Sequence, residues 1–347
     1  MTRTLLRISV FALAALTGCS DSPGGPGPAP PTLAALEAVP FDEIAPGKLV
    51  FHRRWGSTAE GPSKPDAVYV IDGDARRSWG ALFPRDVFFP TAVAASPDGR
   101  RVLVEGWGFF QPGDLSVAAL EEGALGQYTL LSTLTSSQQA WTPDGERIVF
   151  SWTDNQQNHA LYTQRPVANA ARTLLFPTVL PAGTSTCERS MINIRGQISV
   201  AASGAVVMAC LDTAIHVLDP DAERTRAVYL APGGTAASRV RAPAWSPDGR
   251  RIAFIEVTLG AGSESDFAIR VMDANGANSR TVATLRTAWY GVMDETLCWM
   301  PDGERIAFAM PQGDISSFIY IVQASGGVPT QVTSSAGAKD RSVSCTS

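Results

Sequence analysis

AASPDGRRVLV (94–104), AWTPDGERIVF (140–150), AWSPDGRRIAF (244–254) and CWMPDGERIAF (298–308) are four versions of one phrase. Apolar residues alternate on both sides of a Pro-Asp-Gly step, which is the pattern of two half-buried strands joined by a tight turn. Pro presets φ at the first central position and Asp can hydrogen-bond its own backbone. Gly supplies the left-handed conformation that closes a type I turn with a bulge. Asp98, Asp144, Asp248 and Asp302 are therefore assigned to turn chemistry, not to catalysis or metal binding.

The phrase recurs at a period of about 50 residues. Two further copies fill its gaps: ISVAASGAVVMAC (198–210), where Ser203-Gly204 replaces the turn and the Pro-Asp pair is missing, and APGKLVFHR (45–53). The turn glycines then fall at 47, 99, 145, 204, 249 and 303, spaced by 52, 46, 59, 45 and 54 residues. Each hairpin is followed by strand, polar turn and strand, as in AVYVIDGDARRSW (67–79) and AIRVMDANGANSRTV (268–282). Four short strands per period make a blade whose faces are buried only by stacking on its neighbours.

WSPDGRRIAF (245–254) followed by IRVMDANGANSRTV (269–282) resembles the TolB-type, or WD-like, β-propeller repeat of bacterial envelope proteins. The resemblance covers roughly residues 42–347 and implies a six-bladed propeller, in agreement with the six units counted from spacing. At the C-terminus RSVSCTS (341–347) mimics RAPAWSP (241–247), the opening of a unit, and then stops. Unit one lacks an opening strand of its own. The expected fold is all-β, a six-bladed β-propeller of four-stranded blades, its ring closed by pairing the C-terminal strand into the first blade.

The N-terminus has a different character. Arg3 and Arg7 precede a short apolar stretch, 8–16, and then Leu16-Thr17-Gly18-Cys19, which resembles the lipobox of bacterial lipoproteins. This reading makes 1–18 a removed signal peptide and Cys19 the lipidated first residue of the mature chain. Residues 19–39 form a Pro/Gly-rich tether and 40–347 the propeller domain. Ser20 after the cysteine points to the outer membrane, facing either the periplasm or the cell surface.

Without 1–18 the chain carries 26 Lys and Arg against 33 Asp and Glu, with no basic run, so nucleic acid is not an expected partner. The chain has three histidines and no HExxH, GxSxG, Walker or dinucleotide motif, so no catalytic residue, metal or cofactor is assigned. His216 falls on a third strand, and His52 and His159 in connections around second and third strands. Four cysteines besides Cys19 are candidates for disulfides: Cys187 with Cys210, and Cys298 with Cys345 across the ring closure, or buried free thiols.

The connections are rich in aromatic and charged residues. If those between second and third strands and between blades share one face, they bring Arg53, Trp55, Arg85, Trp107, Phe109, Trp152, Trp289, Tyr290, Asp294 and Glu295 to one rim. Such residues suit a protein or glycan partner. The expected function is a non-catalytic, membrane-tethered binding scaffold with a protein partner in the envelope; the alternative is a glycan-binding or metal-dependent glycan-cleaving propeller.

Overall fold

The computed structural model describes residues 33, 36–55, 65–83, 88–107, 112–133, 135–153, 159–176, 194–219, 224–233, 238–260, 264–288, 296–312, 316–335 and 337–347. A short helix α1 (Phe41–Ile44) leads into β1 (Lys48–Trp55), β2 (Ala67–Asp72) and β3 (Arg77–Leu82). After these come β4 (Phe88–Ala95), β5 (Arg101–Trp107), β6 (Pro112–Ala119), the two-residue β7 (Gly123–Ala124) and β8 (Thr129–Ser132). The third group is β9 (Thr135–Trp141), β10 (Ile148–Thr153), β11 (His159–Gln164) and β12 (Thr173–Phe176). The fourth group is β13 (Ile194–Val200), β14 (Val206–Cys210), β15 (Ala214–Asp219) and β16 (Arg224–Leu230). The fifth is β17 (Ser238–Trp245), β18 (Arg251–Leu259), β19 (Glu264–Asp273) and β20 (Arg280–Ala288). The chain ends with β21 (Leu297–Trp299), β22 (Arg305–Gln312), β23 (Ser316–Gln323), β24 (Thr330–Gln331) and β25 (Ala338–Thr346).

Four separate four-stranded sheets, β4-β5-β6-β8, β9 to β12, β13 to β16 and β17 to β20, stand as blades. The expectation of six is corrected to that extent. The remaining strands form one nine-stranded sheet, β21-β22-β23-β25-β1-β2-β3-β7 with β24 on β23, because the parallel pair Ser317↔Lys339 joins β23 to β25. The C-terminal strand pairs antiparallel with β1 from Lys48↔Thr346 to Trp55↔Ala338.

Alternation explains how the sheets stack, since neighbouring side chains on a strand face opposite ways. Ile252 and Phe254 of β18 pack with Val207, Ile215 and Val217 of the preceding sheet, while Ala253 and Ile255 pack with Ile306 and Phe308 of the following one. The same division places Val102 and Val104 against β1 and β2, and Leu103 against Trp141 and Phe150. The core is thus a series of seams between sheets.

The turns adopt the chemistry expected of SPDG. Gly99, Gly145, Gly249 and Gly303 have φ between 64° and 69°. In the first copy Gly99 N–H donates to Ser96 O at 2.8 Å, and Asp98 Oδ1 accepts from the Ser96 hydroxyl at 2.5 Å and from Arg100 N–H at 3.1 Å. The degraded copy closes one residue tighter, with Ala201 N–H donating to Ala205 O where Ser96 N–H reaches Arg101 O. The compact unit begins at Leu33, not at residue 40, because Leu33, Leu36 and Val39 pack on the apolar cluster around Ile44, Phe51 and Ile319.

Candidate functional site

The strands β4, β9, β13, β17, β21 and β25 line a cavity of about 470 Å³. Their side chains there are mostly small or apolar, because successive first strands come together around it. At one end stand Thr91, Gly196, Thr296 and Arg341, and toward the turns Pro97, Trp141, Trp245, Trp299 and Cys345. β13 and β21 are tied to each other although β17 lies between them in sequence: Gln197 Nε2 donates to Leu297 O at 2.6 Å and Leu297 N–H donates to Gln197 Oε1 at 3.0 Å. Arg341 is the sole charged side chain among the described lining residues, and it donates to Pro90 O at 3.0 Å and His52 Nδ1 at 3.3 Å.

Buried charge is taken up by the scaffold, both within sheets and between them. Arg53 is 2% exposed and makes a bidentate pair with Asp340, with Nε–Oδ1 at 2.6 Å and Nη2–Oδ2 at 2.7 Å, so it belongs to the ring closure and not to a binding rim. Arg241 reaches Asp212 of the preceding sheet at 2.9 Å. Glu256 meets Arg270 at 3.1 Å and accepts from the Tyr229 hydroxyl at 3.0 Å; burial, chiefly, and this carboxylate push the Tyr229 phenol up to about 12.

His52 lies within β1, not in a connection, and is fully buried. Desolvation lowers its pKa to about 4, against the opposing influence of Asp66, whose carboxylate is 3.8 Å away. The imidazole is therefore neutral at pH 7, with Nδ1 as acceptor for Arg341. His216 is on β15, the third strand of its sheet, as expected, and is 7% exposed. No group of three His, Cys, Asp or Glu side chains gathers as a metal site among the described residues.

Of the other rim candidates, Trp55 ends β1 with its ring 5.7 Å from the Arg53 guanidinium. Trp152 is braced inside its sheet, its indole donating to Thr133 O at 3.0 Å and its ring edge-on to Tyr162 at 5.4 Å. Arg85, Phe109, Trp289, Tyr290, Asp294, Glu295, Cys19 and Cys187 lie outside the described residues, as does the side chain of Trp107. Cys298 and Cys345 form a disulfide on the cavity wall, and Cys210 is disulfide-bonded to a partner outside the described residues. Sequence reasoning missed the inner-strand residues Gln139, Gln197 and Arg341. For Gln139 and Gln197 the signal was a polar side chain three or four places before the turn, where the fifth unit carries Pro243 and Ala242; Arg341 stands where that unit also has an arginine, Arg241, and so carried no such signal.

No family model and no curated protein sequence matches the chain. Solved structures do. TolB from Acinetobacter baumannii aligns with a TM-score of 0.64 at 16% identity, covering 86% of this chain and 66% of that one. A putative TolB from Agrobacterium tumefaciens aligns at 0.51 and 14%, covering 82% and 88%. An oligogalacturonate lyase in complex with manganese aligns at 0.48 and 14%, covering 84% and 74%. This chain thus spans about two thirds of the first TolB chain's length, and at such identities the likeness is one of fold. The protein is a β-propeller of four-stranded blades, similar in fold to the TolB structures.

Proposed function

We propose that the protein is a lipid-tethered, non-catalytic propeller of the cell envelope that binds a protein partner through its loop rim. The observation that carries this reading is the use made of its charged side chains: Arg53 with Asp340 and Glu256 with Arg270 tie neighbouring strands of one sheet, and Arg241 with Asp212 and Glu256 with Tyr229 join one sheet to the next, so all are spent on the scaffold. Recognition then falls to the connecting loops, the usual place on such a scaffold. We read the nine-stranded sheet as two further blades, β21 to β24 and β25-β1-β2-β3, joined by one bridge, which makes the ring six-bladed. Anchoring through Cys19 in the outer membrane rests on the lipobox-like Leu16-Thr17-Gly18-Cys19.

The test is crosslinking of the full-length protein in native membranes. One envelope protein should be captured reproducibly, and Cys19→Ser should move the chain from the membrane to the soluble fraction. Capture of nothing, or glycan turnover that disappears on replacing a histidine, would overturn the reading.

A further inference from the structure

The contact between Gln197 and Leu297 joins two first strands that are not neighbours. In an antiparallel ladder alternate residues turn N–H and C=O toward the partner strand, and the residues between them turn theirs away. On β21 Thr296 O accepts from Ala309 N–H at 2.9 Å and Met300 N–H donates to Arg305 O at 2.8 Å, both toward β22. Leu297, opposite Phe308 in the same ladder, therefore turns its N–H and C=O the other way, to the inner edge of the strand and the cavity that it lines.

Other first-strand N–H groups are met by a hydroxyl of the adjoining first strand: Ala95 N–H by Ser344 at 3.2 Å, Trp245 N–H by Ser199 at 3.1 Å and Val343 N–H by Thr296 at 2.9 Å. β17, which adjoins β21, carries Ala242, Pro243 and Ala244 before its turn and has no such group to offer. Gln197, half-buried on the cavity wall, reaches over from β13 instead. Its carboxamide donates to Leu297 O at 2.6 Å and accepts from Leu297 N–H at 3.0 Å. A residue of an added antiparallel strand would exchange the same two hydrogen bonds with Leu297.

We infer that Gln197 holds the place of a peptide: an extended, uncharged segment of the protein partner enters the cavity from the rim, displaces the Gln197 carboxamide and adds as a strand to the inner edge of β21 at Leu297. This rests on the reading of a protein partner at the rim. Gln197 lies near the start of β13 and Leu297 begins β21, so their contact stands at the end of the cavity where the connections between blades arrive. Gly196 gives the amide room to move: it is exposed, sits in the bulge between Arg195 and Ile198 with φ at 66°, and a Cβ there would meet nothing within 4 Å. The segment is uncharged because Arg341, the sole charged side chain among the described lining residues, is already engaged by Pro90 O and His52 Nδ1. A cavity of about 470 Å³ limits the insert to a few small residues.

The test titrates the full chain with N-acetyl-tetra-alanine amide, and with the same peptide N-methylated at its central amides, by calorimetry. Gln197→Ala should bind the first peptide about tenfold tighter than the unaltered chain, because the competing contact is gone, and N-methylation should weaken binding about tenfold by removing the donor to Leu297 O. Crystals of the unaltered protein soaked in the first peptide give a readout that needs no variant: Gln197 turned aside and the peptide N–H and C=O on Leu297. Saturable binding by neither chain, equal affinity of both, indifference to N-methylation, or a peptide seated away from Leu297 would each overturn the proposal. Crosslinking capture of a partner without peptide binding removes the insertion and leaves the rim reading in place, whereas capture of nothing removes the rim reading itself.

Discussion

Arg251 shows how a turn residue becomes a contact between blades. Its Nη2 donates to Gly303 O in the next turn at 2.7 Å while its guanidinium lies 4.7 Å from the Trp299 ring; Arg101 does the same with Gly145 O at 3.0 Å and Trp141. Its neighbour Arg250 is exposed at the tip. Arg251→Ala is expected to cost about 2 kcal/mol in urea unfolding, from a charge-assisted hydrogen bond and a cation–π contact, whereas Arg250→Ala should stay within about 0.5 kcal/mol. His52 adds a pH dependence. Its folded pKa is depressed from 6.5 to about 4, so the unfolded chain binds the extra proton between these values. The stabilisation, on the order of 3 kcal/mol, is full above pH 6.5 and lost as pH falls to 4. Protonation would also turn Nδ1 from an acceptor into a donor facing Arg341. Chemical denaturation between pH 4 and 7 should show this slope, and His52→Asn should flatten it while lowering stability at pH 7.

β25 is the element on which closure depends. Beyond its pairing with β1, it places Asp340 against Arg53, Arg341 against Pro90 O, and the Ser344 hydroxyl as acceptor for Ala95 N–H at 3.2 Å; Val343 N–H donates to Thr296 Oγ1 at 2.9 Å. One strand therefore touches three neighbouring groups of strands. Its backbone repeats that of β17: Ser342 (φ 54°) and Ala242 (φ 48°) each come directly after an arginine at a bulge, which is why RSVSCTS and RAPAWSP read alike. A chain ending at Asp340 should melt on the order of 10 °C lower or lose its single transition. The disulfide across the same junction closes a separation of 47 residues, so replacing both Cys298 and Cys345 by Ala should cost about 2–4 kcal/mol, read by urea unfolding under matched conditions.

For the whole molecule, the parts legible in the sequence were those enforced locally: the SPDG turns, the alternation that stacks the sheets, and the strand that returns to β1. Contacts between units were not legible, because nothing within AWSPDGRR states that its second arginine serves the next turn, or that Arg53 meets Asp340 across 287 residues. The cavity was hidden for the same reason, being assembled from one strand of each repeat. In the degraded fourth unit the loss of a local signal removes contacts on both sides. With no SPDG turn ahead of it, Arg147 folds back on its own sheet, donating to Thr163 Oγ1 at 3.0 Å and Thr163 O at 3.3 Å, and Trp245 on the other side has no arginine over it among the described residues. Both seams flanking β13 to β16 therefore lack the latch that joins β17–β20 to β21–β24. Buried apolar residues such as Val207, Ile215 and Leu218 still fill this sheet, so it folds, but its local opening should be easier than elsewhere in the ring. Hydrogen exchange read by mass spectrometry should find the amides of 206–210 and 214–219 exchanging well before those of 252–257 and 306–309, and earlier still once the Cys210 disulfide is reduced. Equal protection of all four segments would mean that side-chain latches contribute little beside apolar stacking, and the cost expected for Arg251→Ala would have to fall with it.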